Sequence, residues 1–332
     1  MPTLKDIAKK AGVTTTTVSR VINNRGYISN KTKETVFRVM QELNYRPNEL
    51  ARALTKKHSN TIGVIVPHVS HPFFSKLISH LENAAAQKGY KILLCNSKDE
   101  PKKEMEYIEM CLSNRVSGII LCSKYLDAEK FSSLKIPILN LEKEDDSIAV
   151  SIQCDNYQGG KIAAEHLIDC GCKQLLHFGG IAGKDMPADR RAKGFTDVCN
   201  SKKISNKVVM TNQTAYGTMK YHDYIKQALL EYPEVDGIFA SSDLIAAQVI
   251  QVCHKMNRKV PEDLCLVGFD DVSIAALTTP TITTIHQPVK EMAQLSIEYV
   301  DKIANNEIVP SKVTLPITLV ERESTRKKHG RQ

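Results

Sequence analysis

Apolar residues along the chain follow two different periods. Over the first fifty positions they recur every three or four residues: Leu4, Ile7, Ala8 and Ala11, then Val18, Val21 and Ile22, then Val36, Val39, Met40 and Leu43. That spacing marks one face of a helix and predicts three short helices in succession. Thr3, with Asp6 three residues on, has the signature of a capped start; Gly12 ends the first helix and Thr14 caps the second, in TTTTVSRVINN. Only AGVT separates the two. Helix, tight glycine-containing turn and helix make the helix-turn-helix plan, in which the N-terminal end of the second helix enters the DNA major groove. The third segment, Lys31 to Leu43, closes a three-helix core. A further helix of barely two turns is predicted in PNELARALTKKHSN, with Leu50, Ala51, Ala53 and Leu54 on one face. A helix shorter than about 12 residues is marginal in water, so this one needs a surface to lie on.

From Thr61 the pattern changes. Short β-branched runs read as strands: TIGVIV (61–66), KILLC (91–95), GIILC (118–122), PILNL (137–141), QLLHF (174–178), VDGIFA (235–240) and LCLVGF (264–269). Amphipathic stretches lie between them, such as 74–87, 104–112, 159–169 and 244–256. Apolar strands separated by such helices predict parallel sheets covered on both faces. The alternation runs through about four units, pauses near Asp155 and resumes. Two lobes and an intervening cleft follow, with a ligand expected beyond the carboxyl ends of the strands.

Charge sharpens the first part of the picture. Residues 1–58 hold 12 of the 45 Lys and Arg but only 4 of the 37 Asp and Glu, so the whole net charge of +8 sits there and the remainder balances to zero. A small basic module on a neutral body fits phosphate-backbone binding, although a merely solvated basic face would show the same composition. The outward face of the second helix presents Thr15, Thr16, Ser19 and Arg20. Arg can bond guanine bidentately and Thr can use its hydroxyl or methyl; Thr17 and Ser19 are candidates for phosphates.

Other chemistry is sparse. Nine cysteines, an odd number with no CxxC and Cys170-Gly-Cys172 as the closest spacing, argue against a disulfide framework or a zinc site. FGGIAG (178–183) lacks the spacing of a dinucleotide loop and the Lys of a P-loop; HExxH and GxSxG do not occur. His166 and His177 are expected to be structural. No enzyme activity, metal or cofactor is expected. No apolar run reaches the roughly 18 residues of a membrane span, and MPTLKDIAKK has no signal-peptide core, so a cytoplasmic protein without membrane contact is expected.

The strand ends carry the residues suited to a carbohydrate. Phe73 and Phe74 in HVSHPFF can pack on a sugar ring, or simply open a helix as core. Gln158 follows Asp155 and Asn156 at the lobe boundary. DMPADRRAKGF sets Arg190 and Arg191 at a helix start, where a guanidinium supplies fixed paired donors or, alternatively, part of a solvated face. FASSDL ends on Ser242 and Asp243, VGFDDVS on Asp270 and Asp271, and Gln287 in TTIHQP lies where the chain crosses back between lobes.

The stretch LKDIAKKAGVTTTTVSRVINNRGYISNKTKETVFRVMQELNYRPNELARAL resembles the DNA-binding region of LacI/GalR-family repressors in register throughout. HPFF, EHLIDCG, VPEDLCLVGFDD, PTITTIHQP and LVEREST extend the resemblance over nearly the whole chain. It implies a small all-α helix-turn-helix domain plus α/β, the latter as two doubly wound parallel-sheet lobes of periplasmic-binding-protein-like type. The expected boundaries are 1–46 for the head, 47–58 for a hinge helix and linker, 60–155 plus 288–314 for the first lobe, 156–287 plus 315–325 for the second, and a basic tail at 326–332.

The resemblance also implies partners: a homodimer, with a tetramer open, on pseudo-palindromic double-stranded operator DNA, and a small sugar effector. Thr15, Thr16 and Arg20 fall at its base-reading positions, and Leu54 at the position that a hinge helix, formed on DNA, inserts into the minor groove. Thr17, Ser19, Asn23, Tyr45, Arg52 and Lys56 complete the DNA-binding set. For the effector it implies Arg191 and Asp270, with Tyr216 covering the ligand; Phe73, Phe74, Gln158, Ser242, Asp243 and Gln287 complete the set. Two departures bear on the hydroxyl pattern: residues 142–149 are short, and Ser242 replaces a frequent Asn. The implied function is a repressor of a sugar-utilisation operon, released from its operator by a sugar of sucrose or fructose type. Two alternatives stay open. One is the same fold working with the opposite sign, a purine or phosphoprotein corepressor strengthening DNA binding; the other is a sugar-binding transport protein.

Overall fold

The structure, a computed structural model, describes residues 2–23, 25–45, 59–122, 136–141, 150–181 and 187–325. The chain divides into two compact units, Met1–Ser59 and Asn60–Gln332. The segment expected to form a hinge, with Arg52, Leu54 and Lys56, lies outside the described residues, as do 142–149.

The first unit is built from α1 (Leu4–Ala11), α2 (Thr15–Ile22) and α3 (Asn30–Glu42). Each starts where a hydroxyl can replace a missing backbone partner. Thr3 and Asp6 form a reciprocal capping box, Thr14 accepts from the Thr17 N–H, and Ser29 from the Thr32 N–H. Such caps contribute about 1 kcal/mol each. Gly12 ends α1 in a left-handed conformation at φ 68°, its N–H bonded to the Ala8 carbonyl, which a β-carbon would strain. Ile7, Ala8, Val18, Val21, Val36, Val39 and Met40 form the core, and Lys10 pairs with Glu42 at 2.8 Å to tie α1 to the end of α3.

The second unit holds two six-stranded sheets. The first contains β1 (Thr61–Val66), β2 (Lys91–Asn96), β3 (Gly118–Leu121), β4 (Ile138–Leu141), β5 (Val150–Cys154) and β11 (Lys312–Leu315), in the spatial order β11-β5-β4-β3-β1-β2, all parallel. The second contains β6 (Gln174–Ile181), β7 (Ser205–Thr211), β8 (Gly237–Ala240), β9 (Cys265–Asp270), β10 (Thr283–His286) and β12 (Thr318–Val320), in the order β12-β10-β9-β8-β6-β7. Only β12 in this sheet runs antiparallel.

β1 shows why the runs are continuous: Ile62, Val64 and Val66 bury on one face, Ile65 on the other. Helices α4 (Pro72–Gln87) and α5 (Pro101–Ser113) belong to the first lobe, and α6 (Asn156–Asp169), α7 (Pro187–Ser201), α8 (Gln213–Thr218), α9 (His222–Glu231), α10 (Asp243–Lys255) and α11 (Ser273–Leu277) to the second. α12 (Val289–Ala304) returns to the first lobe, where Met292, Ala293, Ile297 and Val300 join its core. The chain therefore crosses between sheets three times, after Cys154, after His286 and after Leu315. All nine cysteines are free, and all but Cys122 are buried. Among the described residues no helix is long and apolar enough to cross a membrane.

Candidate functional site

In the first unit the face of α2 sorts itself by what each side chain already does. Thr17 Oγ1 lies 2.9 Å from Thr14 Oγ1 within the cap, and Asn23 donates to the Ser19 carbonyl at 2.8 Å. Tyr45 packs on the three-helix core. Thr15, Thr16 and Arg20 are exposed, with Thr16 and Arg20 one turn apart and so adjacent in space. The three side chains suited to base edges therefore stand outermost, while Thr17, Ser19 and Asn23 are oriented by local bonds.

In the second unit residues from the carboxyl ends of both sheets meet, and Arg191 is closely held among them. Its Nε donates to Asn156 Oδ1 at 2.7 Å, its Nη1 to the Ser241 carbonyl at 2.6 Å, and its guanidinium carbon lies 3.6 Å from the centre of the Phe269 ring. A guanidinium held by a main-chain carbonyl, an amide and an aromatic face has one orientation, with its remaining N–H groups fixed in direction. Two glycines permit that placement. A β-carbon on Gly160 would sit 1.9 Å from the Arg191 carbonyl oxygen, and one on Gly194 would sit 2.0 Å from that of Tyr157. α6 and α7 thus touch backbone to backbone, which brings Asn156 within reach of Arg191.

Asp270, at the end of β9, faces Gln287, whose Nε2 donates to Asp270 Oδ1 at 2.7 Å while its Oε1 accepts from the Cys154 thiol at 3.2 Å. Residues from two strand ends and one lobe crossing meet here. Asp243 is different. It is fully buried, Oδ1 accepting from Thr284 at 2.6 Å and Oδ2 from the Val272 N–H at 2.9 Å. Burial, reinforced by the neighbouring Asp270, pushes its carboxyl well above the usual range against those two bonds. Ser242 caps α10, accepting from the Ile245 N–H, and Gln158 is half-buried with its N–H on Asp155.

On the facing lobe, Phe73 is a core residue and Phe74 is half-buried, its ring 5.2 Å from that of Phe73 and 5.7 Å from His71. His68, after β1, meets Tyr216 of α8 edge-on at 5.7 Å, an aromatic contact that spans the two lobes. Burial, with His68 and Arg191 nearby, pushes His71 down to about 4, so its ring is neutral near pH 7. His68 and His71 are absent from the expected set; their signal in HVSHPFF is a polar pair flanking a strand end. Asn156, named with Asp155 and Gln158 at the lobe boundary, is the side chain that orients Arg191. Among the described residues no cluster of His, Cys, Asp or Glu could hold a metal ion.

A three-helix head with outward Thr and Arg, and a two-lobed α/β body with fixed polar and aromatic residues at its strand ends, define a regulator class that joins DNA contact to small-ligand binding. Residues 3–48 match the family described as bacterial regulatory proteins, lacI family, and residues 164–325 match the periplasmic binding protein-like domain. The chain is 35% identical to the ribose operon repressor of Halalkalibacterium halodurans, over 98% of each chain, and 36% identical to the sucrose operon repressor of Pediococcus pentosaceus, over 96% of this chain and 98% of that one. It belongs to the lacI family. Its structure is similar to the lac repressor dimer bound to operator and the anti-inducer ONPF, with TM-score 0.87 and 26% identity over 98% of this chain and 99% of that one. It is also similar to a periplasmic binding protein/LacI transcriptional regulator from Alkaliphilus metalliredigens complexed with D-xylulofuranose, with TM-score 0.73 and 33% identity over 81% of this chain and all of that one.

Proposed function

We propose that this protein is a transcriptional repressor of a sugar-utilisation operon: a cytoplasmic homodimer, without catalytic activity, that binds a pseudo-palindromic operator and is released by a small sugar. The observation that carries the reading is the fixed Arg191–Asn156–Ser241 constellation together with the Asp270–Gln287 bond at the strand ends, in a chain whose other end presents Thr15, Thr16 and Arg20. A fixed set of guanidinium donors and a carboxylate acceptor, rimmed by Tyr216, Phe74 and His68, suits vicinal hydroxyls on a compact ring. Relatives named for ribose and sucrose operons support a pentose or a fructose-containing sugar. The two lobes of the body are assigned to 60–155 plus 288–314 and to 156–287 plus 315–325.

Regulation is then a difference in affinity. Operator and sugar favour different lobe orientations, and the coupling free energy is what each does to the other's binding. The test is operator binding by fluorescence anisotropy on the full chain, with ribose, sucrose and fructose titrated in. One of them releases wild-type protein, and Arg191→Ala binds operator normally but fails to release at any concentration that releases wild type. Tighter binding on addition of sugar, or normal release of Arg191→Ala, overturns the assignment.

A further inference from the structure

The corner after β9 belongs to one lobe by chain and to the other by contact. Asp270 and Asp271 both adopt positive φ, 106° and 51°, conformations unfavourable for residues other than glycine and kept only where the surroundings over-determine them. The surroundings here do so. Asp271 accepts from Arg322 Nη2 at 2.6 Å and from His286 Nδ1 at 2.8 Å, which fixes its side chain to the second lobe. Its main-chain carbonyl accepts from Lys76 Nζ at 2.7 Å, and Lys76 lies on α4 of the first lobe. The next residue, Val272, buries its side chain in the first lobe's core while its N–H bonds Asp243 of the second. Ile274 touches the cores of both. Within three residues the chain passes from a carboxylate in the cleft to a hydrogen bond and an apolar anchor in the opposite lobe.

From this geometry we propose that Lys76 is a positioning residue for the cleft: its bond to the Asp271 carbonyl locks the corner carrying Asp270 to the first lobe and so sets how readily the lobes hold the sugar-binding arrangement. The inference rests on the reading that the cleft between the lobes is the effector site. A cationic donor on a carbonyl is among the stronger hydrogen bonds, and its loss is expected to lower the population of the locked arrangement about tenfold. A displacement of the corner moves Asp270 against Gln287 and Arg191, because no flexible residue lies between the anchor and the ligand-facing carboxylate. Sugar affinity and lobe contact are therefore tied at one point.

The test compares full-length wild type, Lys76→Met, which keeps the apolar stem, and Lys76→Arg, which restores a cationic donor. Hydrogen-exchange mass spectrometry without sugar is expected to show faster exchange, by about tenfold, at 270–277 and 72–77 in Lys76→Met, with wild-type rates in residues 4–42 and near wild-type rates throughout Lys76→Arg. Unchanged exchange in Lys76→Met overturns the proposal, as does a Lys76→Arg protein that exchanges as fast as Lys76→Met. With whichever of ribose, sucrose or fructose stabilises wild type in a thermal shift, Kd is expected to rise about tenfold in Lys76→Met and to recover in Lys76→Arg; an unaltered Kd also overturns it. If none of the three stabilises wild type, the sugar reading fails, and the exchange rates alone still decide the role of Lys76.

Discussion

His177 lies in the core of the second lobe, its ring stacked on Phe239 at 4.5 Å and tilted against Phe195 at 5.4 Å. The Phe239 carbonyl, 2.9 Å from Nδ1, requires the proton on that nitrogen and leaves Nε2 as an acceptor. Burial pushes the ring down to about 3; the Phe239 bond opposes this and the nearby Arg191 adds to it. Between pH 6.5 and about 3 the unfolded chain carries a proton here that the native core does not, so stability falls as pH drops through that window and levels off below it. The loss is about 2 kcal/mol between pH 6.5 and 5. Melting temperatures measured from pH 7 to 5 should fall with a shallower slope in His177→Leu than in wild type. This histidine's environment was half legible in QLLHF, where a strand surrounds it with apolar residues. The partners of Arg191 were less so, because a main-chain carbonyl 50 residues away leaves no mark in the sequence.

The crossing of α6 and α7 depends on Gly160 and Gly194, and each close approach is to backbone that cannot rotate away. Gly194→Ala should push the helices apart, costing about 1–3 kcal/mol of stability. It should also weaken sugar binding more than the destabilisation alone accounts for, since the Arg191–Asn156 bond spans that contact. Calorimetric titration below the melting range tests this; an affinity equal to wild type would dissociate the helix crossing from the site. Strands were legible where both faces are buried, as in TIGVIV and LCLVGF. β7, β11 and β12 were not, because edge strands keep polar residues such as Lys207, Thr314 and Thr318 on open faces, and β11 and β12 are also short. β5 was hidden by Ser151 and Gln153, polar residues on a strand that is buried throughout. The helix-turn-helix boundaries at Thr3, Gly12 and Thr14, by contrast, were readable from the sequence, since these residues act through local bonds that sequence spacing encodes; the Ser29 cap of α3 was not read.

Across the chain, charge and ligand chemistry are segregated. All of the net +8 lies in residues 1–58, while the rest is balanced and holds both Arg191, bonded to Asn156 and the Ser241 carbonyl, and Asp270, bonded to Gln287. Operator affinity should therefore fall steeply with salt, by about 10³ or more from 50 to 200 mM for a protein neutralising six or more phosphates, while sugar affinity stays nearly flat. Anisotropy and calorimetry over the same salt series check this, and a sugar affinity that tracks salt as steeply as DNA binding would show that the cleft takes an anionic ligand instead.

The return of the chain to the first lobe has a consequence for the order of assembly during synthesis. Among the described residues the core of the head draws on positions between Ile7 and Tyr45, all of which emerge early. The first sheet is completed later: β5 must wait for β11, whose Lys312 pairs with Ser151, and α12 supplies the side chains that cover β3 and β5. The lobe that begins first therefore closes among the last, its apolar face held open until residues beyond 288 leave the ribosome.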